Sequence, residues 1–249
     1  MYKKLKNSIV EWIKWYFDNH GKGCKAVIGI SGGKDSNIDA ALCKEAIGAD
    51  NVCGVLMPNG VQNDIDDARG VAELLGIPHY EINIEPIMLA FYKALEDSGF
   101  VPNDIVYNNS PARIRTAVLY AVSGIVRGRV CNNGNLSEVF LGWRTKGGDT
   151  VGDFAPLKNL VVRECVGVGH ETELPVNYVE KVPEDGMTGK TDEDNFGFAY
   201  ADVDTLIRDG GIDNAALMQK ILTMRDYGMH KEELILSFPY NPIINQKVG

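Results

Sequence analysis

The chain is predicted to fold as an α/β protein, with a doubly wound parallel sheet flanked by helices. Three observations carry this expectation. Apolar runs of strand length alternate with helix-period segments through the first half of the chain. The first such run, Ala26 to Ile30, breaks into a Gly-rich turn from Ser31 to Ser36. A helical pattern (Ile38, Ala41, Leu42, Glu45, Ala46) follows at once. Strand, tight polar turn and helix in that order put backbone N–H groups and a helix N-terminus at the carboxyl edge of a sheet, where an anion binds.

Taken in order, Leu5, Ile9, Trp12, Ile13 and Tyr16 recur at helical spacing and predict an amphipathic first helix. Lys3, Lys4 and Lys6 precede it, but Glu11 and Lys14 interrupt its apolar content, so it does not read as a targeting segment. After the loop helix, residues 51–57 predict a second buried strand, 64–75 a helix with acids in its first turn, and 79–84 a third strand. Helices are expected at 86–96 and 112–126; the apolar runs at 128–131 and 139–141 are ambiguous. Residues 183–198 are rich in Gly, Asp and Glu and predict a surface loop, a candidate lid over a site. Within it, Asp192, Glu193 and Asp194 read as a solvated face or a helix N-terminus. Helices at 201–207 and 214–224 close the pattern. No repeat or linker divides the chain, so residues 1–249 are expected to form one domain.

Composition narrows the partners. The 249 residues are 45% hydrophobic and 24% charged, ordinary for a soluble globular protein. A net charge of −9 argues against a general nucleic-acid binder, which carries a basic face. No stretch approaches the ~20 apolar residues of a membrane span. The five cysteines form no CxxC pair and fit a reducing, cytoplasmic setting better than zinc or a disulfide framework.

The loop itself is the most specific feature. Gly29 and Ile30 lead into Ser31, Gly32, Gly33, Lys34, Asp35 and Ser36. The two glycines permit close backbone approach, the serines supply hydroxyls, and Lys34 adds positive charge. Asp35 would repel a phosphate unless a divalent cation lay between them, so it reads as a magnesium ligand. The spacing is too short for the GxxxxGK[ST] loop. It resembles the pyrophosphate loop of the ATP pyrophosphatases, whose Rossmann-like fold is of the adenine-nucleotide alpha-hydrolase type.

Four later segments resemble the ammonia-dependent NAD synthetases, in order and at similar spacing. They are Asn109 to Arg115; Gly134 to Glu138 followed by Gly142 to Asp149; Gly152 to Leu157; and Gly189 to Gly197 with Tyr200 and Asp204. A His230-Lys231 pair near the C-terminus joins them. The resemblance implies that ATP adenylylates the nicotinate carboxylate of deamido-NAD, releasing pyrophosphate, and that ammonia then displaces AMP. It implies ATP contacts along Gly29 to Ser36 and at Asn133, magnesium on Asp35 and Glu138, and deamido-NAD contacts at Arg113, Lys146, Asp153, His230 and Lys231, the last two across a homodimer interface. Lys34, Asp35 and Lys146 are the implied catalytic set. The less favoured readings are a surface charge for Arg113, loop polars for Lys146 and Asp153, and a chance dipeptide for His230-Lys231.

There are departures from the family pattern. Asn133 stands where many members carry threonine, Val162 where a lysine that contacts ATP is common, and Glu184 where threonine or serine is expected. Glutamine-dependent relatives add a glutaminase domain for which this chain has no room, so free ammonia is the expected nitrogen donor. Two alternatives stay open: another adenylating enzyme, of GMP synthetase or tRNA-modifying type, and a non-catalytic ATP-binding regulator on the same fold.

Overall fold

A computed structural model describes residues 1–62, 65–181 and 191–233. Helix α1 (Tyr2–His20) precedes strand β1 (Lys25–Gly29), helix α2 (Lys34–Ile47), strand β2 (Val52–Leu56), helix α3 (Ile65–Leu75) and strand β3 (His79–Glu81). Helices α4 (Glu85–Asp97) and α5 (Asp104–Val126) then lead to strand β4 (Gly128–Val130). Among the described residues six helices follow, α6 (Leu136–Leu141), α7 (Val162–Gly169), α8 (Val176–Val179), α9 (Asp192–Phe196), α10 (Tyr200–Asp209) and α11 (Ala215–Gly228), and then a 3-10 turn at Met229–Lys231.

The four strands are parallel in the order β3-β2-β1-β4, with Val27 opposite both Cys53 and Val130. Side chains along β1 and its extension alternate. Ala26, Ile28 and Ile30 join one core, with Ile13 and Phe17 of α1, Leu42 of α2 and Val168 of α7. Val27 faces the other, with Cys53, Val55, Ile84, Met88 and Val122 beneath α4 and α5. Apolar residues on both faces of one strand require helices on both, which makes the sheet doubly wound. A third core, around Leu141, Phe196, Phe198, Val203 and Ile221, joins α6, α9, α10 and α11.

The chain builds outward from β1 to β3 and then returns to place β4 on the other side of β1. The switch point of this order lies between the carboxyl ends of β1 and β4, which is where a ligand site is expected.

Several elements differ in extent from the sequence reading. β3 ends at Glu81 rather than Ile84, although Ile82 and Ile84 still donate to the carbonyls of Leu56 and Pro58 at 2.8 and 2.9 Å. Helix α5 begins at Asp104, not Ala112, and runs through Pro111. Asn103 caps its start by accepting from the Val106 N–H at 3.2 Å, and the proline is buried, so packing outweighs the lost helical hydrogen bond. The ambiguous run at 128–131 supplies β4, and 139–141 is helical. The expected loop at 183–198 contains α9, which Thr191 caps through a capping box with Asp194; residues 182–190 lie outside the described residues. No described helix is long and apolar enough to cross a membrane.

Candidate active site

The Gly-rich turn joins β1 to α2. Gly32 adopts φ +80°, a conformation that disfavours side chains. The two serines hold the turn closed: the Ser31 N–H donates to Ser36 Oγ at 3.2 Å, and the Ser36 hydroxyl donates to the Gly33 carbonyl at 3.0 Å. Asn37 donates to the Gly32 carbonyl and, at 3.2 Å, to the carbonyl of Tyr178, which ties the loop to α8. Helix α2 starts at Lys34, and Gly33 at its N-cap offers no side-chain cap. The first N–H groups of a 14-residue helix therefore point out of the sheet edge without a side-chain partner, an anion-binding arrangement.

Lys34 and Asp35, in the first turn, form an ion pair of 2.9 Å. Burial alone would lower the lysine pKa; the charges of Asp35 and Glu138 outweigh it and raise the value, so the ammonium stays charged. Asp35 uses only one oxygen within the protein. Its Oδ2 takes Lys34 and the amide of Asn135, the latter at 3.0 Å, while Oδ1 is buried with no hydrogen-bond partner among the described residues.

The second side of the site comes from the turn after β4. Asn133 donates to the Gly29 carbonyl at 2.9 Å, and its own Oδ1 is buried without a partner among the described residues. Asn135 caps α6 in a capping box: it accepts from the Glu138 N–H at 3.1 Å, and its own N–H donates to Glu138 Oε2 at 3.4 Å. Asn135 thus bridges the two expected metal ligands, which are far apart in sequence. Burial first, and then the nearby charge of Asp35, push the Glu138 carboxyl up to about 8. Two carboxyls that repel one another, beside an acceptor oxygen with no partner among the described residues, are the kind of oxygen donors that would suit a hard cation. Among the described residues no group of three or more His, Cys, Asp or Glu side chains could hold a metal by itself.

Lys34 also lines a pocket whose walls come from α7 (Val162, Val166), the end of α8 (Glu180, Lys181), and Asp192, Glu193 and Tyr200. Val162, one of the departures, is therefore at the site and makes this wall apolar. Asp192 accepts from Trp143 Nε1 and from the Tyr200 hydroxyl, both at 3.0 Å, and so fixes α9 beside α6 and α10. Glu184 lies outside the described residues.

Four of the five residues expected to meet deamido-NAD are brought together. Arg113 Nε donates to the Lys146 carbonyl at 3.1 Å, Lys146 Nζ to the His230 carbonyl at 2.6 Å, and Lys231 Nζ to the Gly142 carbonyl at 2.9 Å. His230 and Lys231 reach this cluster within one chain. Asp153 stands apart from these bonds: its carboxylate accepts from the Val130 N–H of β4 at 2.8 Å and from the Tyr120 hydroxyl at 3.5 Å.

The NAD synthase family model matches residues 5–238. The chain belongs to this family. It is 34% identical to the NH3-dependent NAD+ synthetase of Methanoregula boonei over 87% of this chain and 88% of that one. Among solved structures, NMN synthetase from Francisella tularensis superposes with a TM-score of 0.89 at 29% identity, covering 96% of this chain and 99% of that one. The NH3-dependent NAD synthetase of Campylobacter jejuni superposes at 0.78 with 26% identity and the same coverage. Family membership sets the two alternative readings aside and agrees with the sheet, the loop and their order.

Three residues of the site carried little signal in sequence. Asn135 reads only as a turn former, Arg144 as a lone charge between Trp143 and Thr145, and Asp192 as one of a run of acids. What each of them touches comes from a distant segment.

Proposed function

We propose that the chain is an ATP-dependent amide ligase that converts the nicotinate carboxylate of deamido-NAD to the amide of NAD, with ammonia as nitrogen donor. The observation that carries this reading is the meeting, through Asn135, of the Ser31–Ser36 loop with Glu138 at the uncapped N-terminus of α2. In the first step a carboxylate oxygen attacks the α-phosphorus of ATP, the bond to the β-phosphate oxygen breaks, and pyrophosphate leaves. In the second, ammonia attacks the acyl carbon, the bond to AMP breaks, and the nitrogen sheds a proton.

The first step crowds anions together, and this chain offsets them with fixed groups. The α2 N–H groups, the Ser31–Ser36 turn and Lys34 would hold the departing pyrophosphate, a preorganised positive field that needs no proton transfer. Asp35 and Glu138 would hold magnesium, since Asp35 Oδ1 is buried and meets no donor among the described residues. Magnesium, when bound, would neutralise phosphate charge. Lys146, Arg113, His230 and Lys231 would hold the acceptor's own phosphates and ribose. Asp153 is retained as an acceptor contact in this reading, although its carboxylate is also engaged with β4.

A homodimer is part of the proposal. Helices α4 and α5 and the link between them expose Leu89, Phe100, Val101, Ile105 and Ile125, a run of apolar surface that a second copy would cover. Sedimentation should then give twice the 27.3 kDa chain mass. A cytoplasmic setting is supported by five cysteines free of disulfides.

The test is pyrophosphate release from ATP and magnesium with ammonium, with and without deamido-NAD, while NAD formation is followed. Both products appearing together, and only with the dinucleotide present, is the expected result. Pyrophosphate without NAD would point to a different acceptor. One observation favours a second reading on the same chemistry: the superposition with an NMN synthetase is tighter than with the Campylobacter NAD synthetase, 0.89 against 0.78. Nicotinate mononucleotide therefore belongs in the same assay, and a higher kcat/KM for it would make the mononucleotide the acceptor.

A further inference from the structure

The segment Gly142 to Lys146 lies against the turn that follows α11, and every second residue of it makes a contact there. Gly142 meets Gly228 so closely that a Cβ on Gly142 would lie 2.4 Å from the Gly228 Cα. Arg144 pairs with Glu232, Nη1 lying 3.3 Å from each carboxylate oxygen. Lys146 donates to the His230 carbonyl, and Lys231 returns a bond to Gly142.

Arg144 is the buried member of this set. Its side chain is 1% exposed and that of Glu232 7%. Its Nη2 also donates to Asn132 Oδ1 at 2.8 Å and to the Asp149 carbonyl. Asn132 in turn donates to the carbonyls of Asp149 and Val151, at 2.7 and 3.0 Å. One guanidinium therefore joins three segments: the end of β4, the 142–149 loop and the carboxyl-terminal turn. A planar five-donor group suits this; a lysine ammonium, a single point of charge, cannot span it. Burying such a pair gives little net stability, yet leaving either charge alone is costly, so its contribution is to geometry more than to strength.

We propose that Arg144 and Glu232 are positioning residues that hold Lys146 and the His230–Lys231 turn in register for the acceptor nucleotide, without touching it themselves. The proposal rests on the reading that these cations bind the acceptor. It makes the carboxyl-terminal turn a conditional part of the site, present only while the buried pair is intact.

The experiment compares Glu232→Gln and Arg144→Met with the unaltered enzyme, each checked for a native circular dichroism spectrum. Glu232→Gln keeps the shape of the side chain and so keeps the test alive if Arg144→Met fails to fold. The expected result is a rise of about tenfold or more in the acceptor KM, with the ATP KM within about twofold, since small misplacements of binding groups are expensive. The double variant should be no worse than the poorer single one, because the two act as a unit. Arg144→Lys should restore little. Amide hydrogen exchange at residues 229–233 should speed up in Glu232→Gln, a readout that needs no turnover. If the unaltered enzyme amidates no nicotinate nucleotide, the functional reading falls while the exchange result still decides whether the pair holds the turn. Unchanged exchange with unchanged acceptor KM would overturn the proposal. So would acceptor and ATP KM rising together as the melting temperature drops, the pattern of a merely structural pair.

Discussion

Lys34 Nζ donates to the carboxylate of its neighbour Asp35 at 2.9 Å, and the two side chains are 4% and 12% exposed. Adjacent residues on a helix do not ordinarily face one another. Here both are turned toward the sheet edge because Asn135 holds Asp35 from the β4 side. The pair is thus a fixed dipole at the mouth of α2. Replacing Asp35 with alanine removes one proposed cation ligand and leaves Lys34 beside Glu138. Pyrophosphate release should fall by about 10²–10³-fold or more, the range for losing one preorganised electrostatic group, with the circular dichroism spectrum unchanged. Near-normal turnover would remove the metal role from Asp35.

Lys146 tests the second cluster. Its ammonium rests on the His230 carbonyl, so truncation costs one exposed hydrogen bond and little stability. Lys146→Ala should raise the KM for the acceptor about tenfold or more while changing that for ATP by much less, as expected when a charge-assisted contact to one substrate is lost. Initial-rate kinetics with each substrate varied will separate the two. A larger effect on ATP would move Lys146 to the other side of the site.

The loop and the sheet were legible in sequence for a simple reason: their signals are local. Ala26 to Ile30 is apolar at every position because β1 is covered on both faces, and Gly32 and Gly33 mark the turn. The strand after Asn51 and the helices around 86–96 and 215–224 follow from the same kind of pattern. Helix α5 was read too short because Pro111 is a local stop signal that buried packing overrides. For the site, the sequence offered candidate residues but not the contacts among them. Asn135 to Asp35, Arg144 to Glu232 and Asp192 to Tyr200 are side-chain contacts made by the fold, and no periodicity announces them. The position of Asp153 against the edge strand β4, where it accepts from the Val130 N–H, was equally invisible, since a Gly-Asp pair in a loop looks the same whether it faces a ligand or a strand.

Asp39 gives a pH-dependent outcome. It lies one turn beyond Asp35 on α2, fully buried, and among the described residues neither carboxyl oxygen has a hydrogen-bond partner. Burial raises its pKa well above 3.8, the charge of Asp35 adds to this, and the Cys131 thiol opposes it. A carboxyl raised in the folded state binds more protons folded than unfolded. Its contribution to stability is therefore largest at low pH and declines as pH climbs from the unfolded value toward the folded one. Asp39→Asn cannot ionise, so the variant should lose this decline. Urea unfolding from pH 5 to 8 should show a flatter stability profile than the unaltered protein, with the largest gain at pH 8. Parallel profiles would mean that Asp39 does not carry the pH dependence.

Gly142 permits a sharper test of the close approach that seats the carboxyl-terminal turn. Its φ is +62°, and an added Cβ would collide with the backbone of Gly228, which has no side chain to move aside. Gly147, five residues on, has φ +75° but nothing within 4 Å of an added Cβ. Both alanine variants incur the left-handed backbone cost of about 1–2 kcal/mol. Only Gly142→Ala adds overpacking, about 1–3 kcal/mol more. The melting temperature should drop distinctly further for Gly142→Ala than for Gly147→Ala, at about 2–4 °C per kcal/mol for a chain of this size. Because the displaced backbone carries the carbonyl that Lys231 bonds and leads directly to Arg144, the acceptor KM should rise in Gly142→Ala as well. Equal melting temperatures would mean that the two glycines do not pack as tightly in solution as the structure has them.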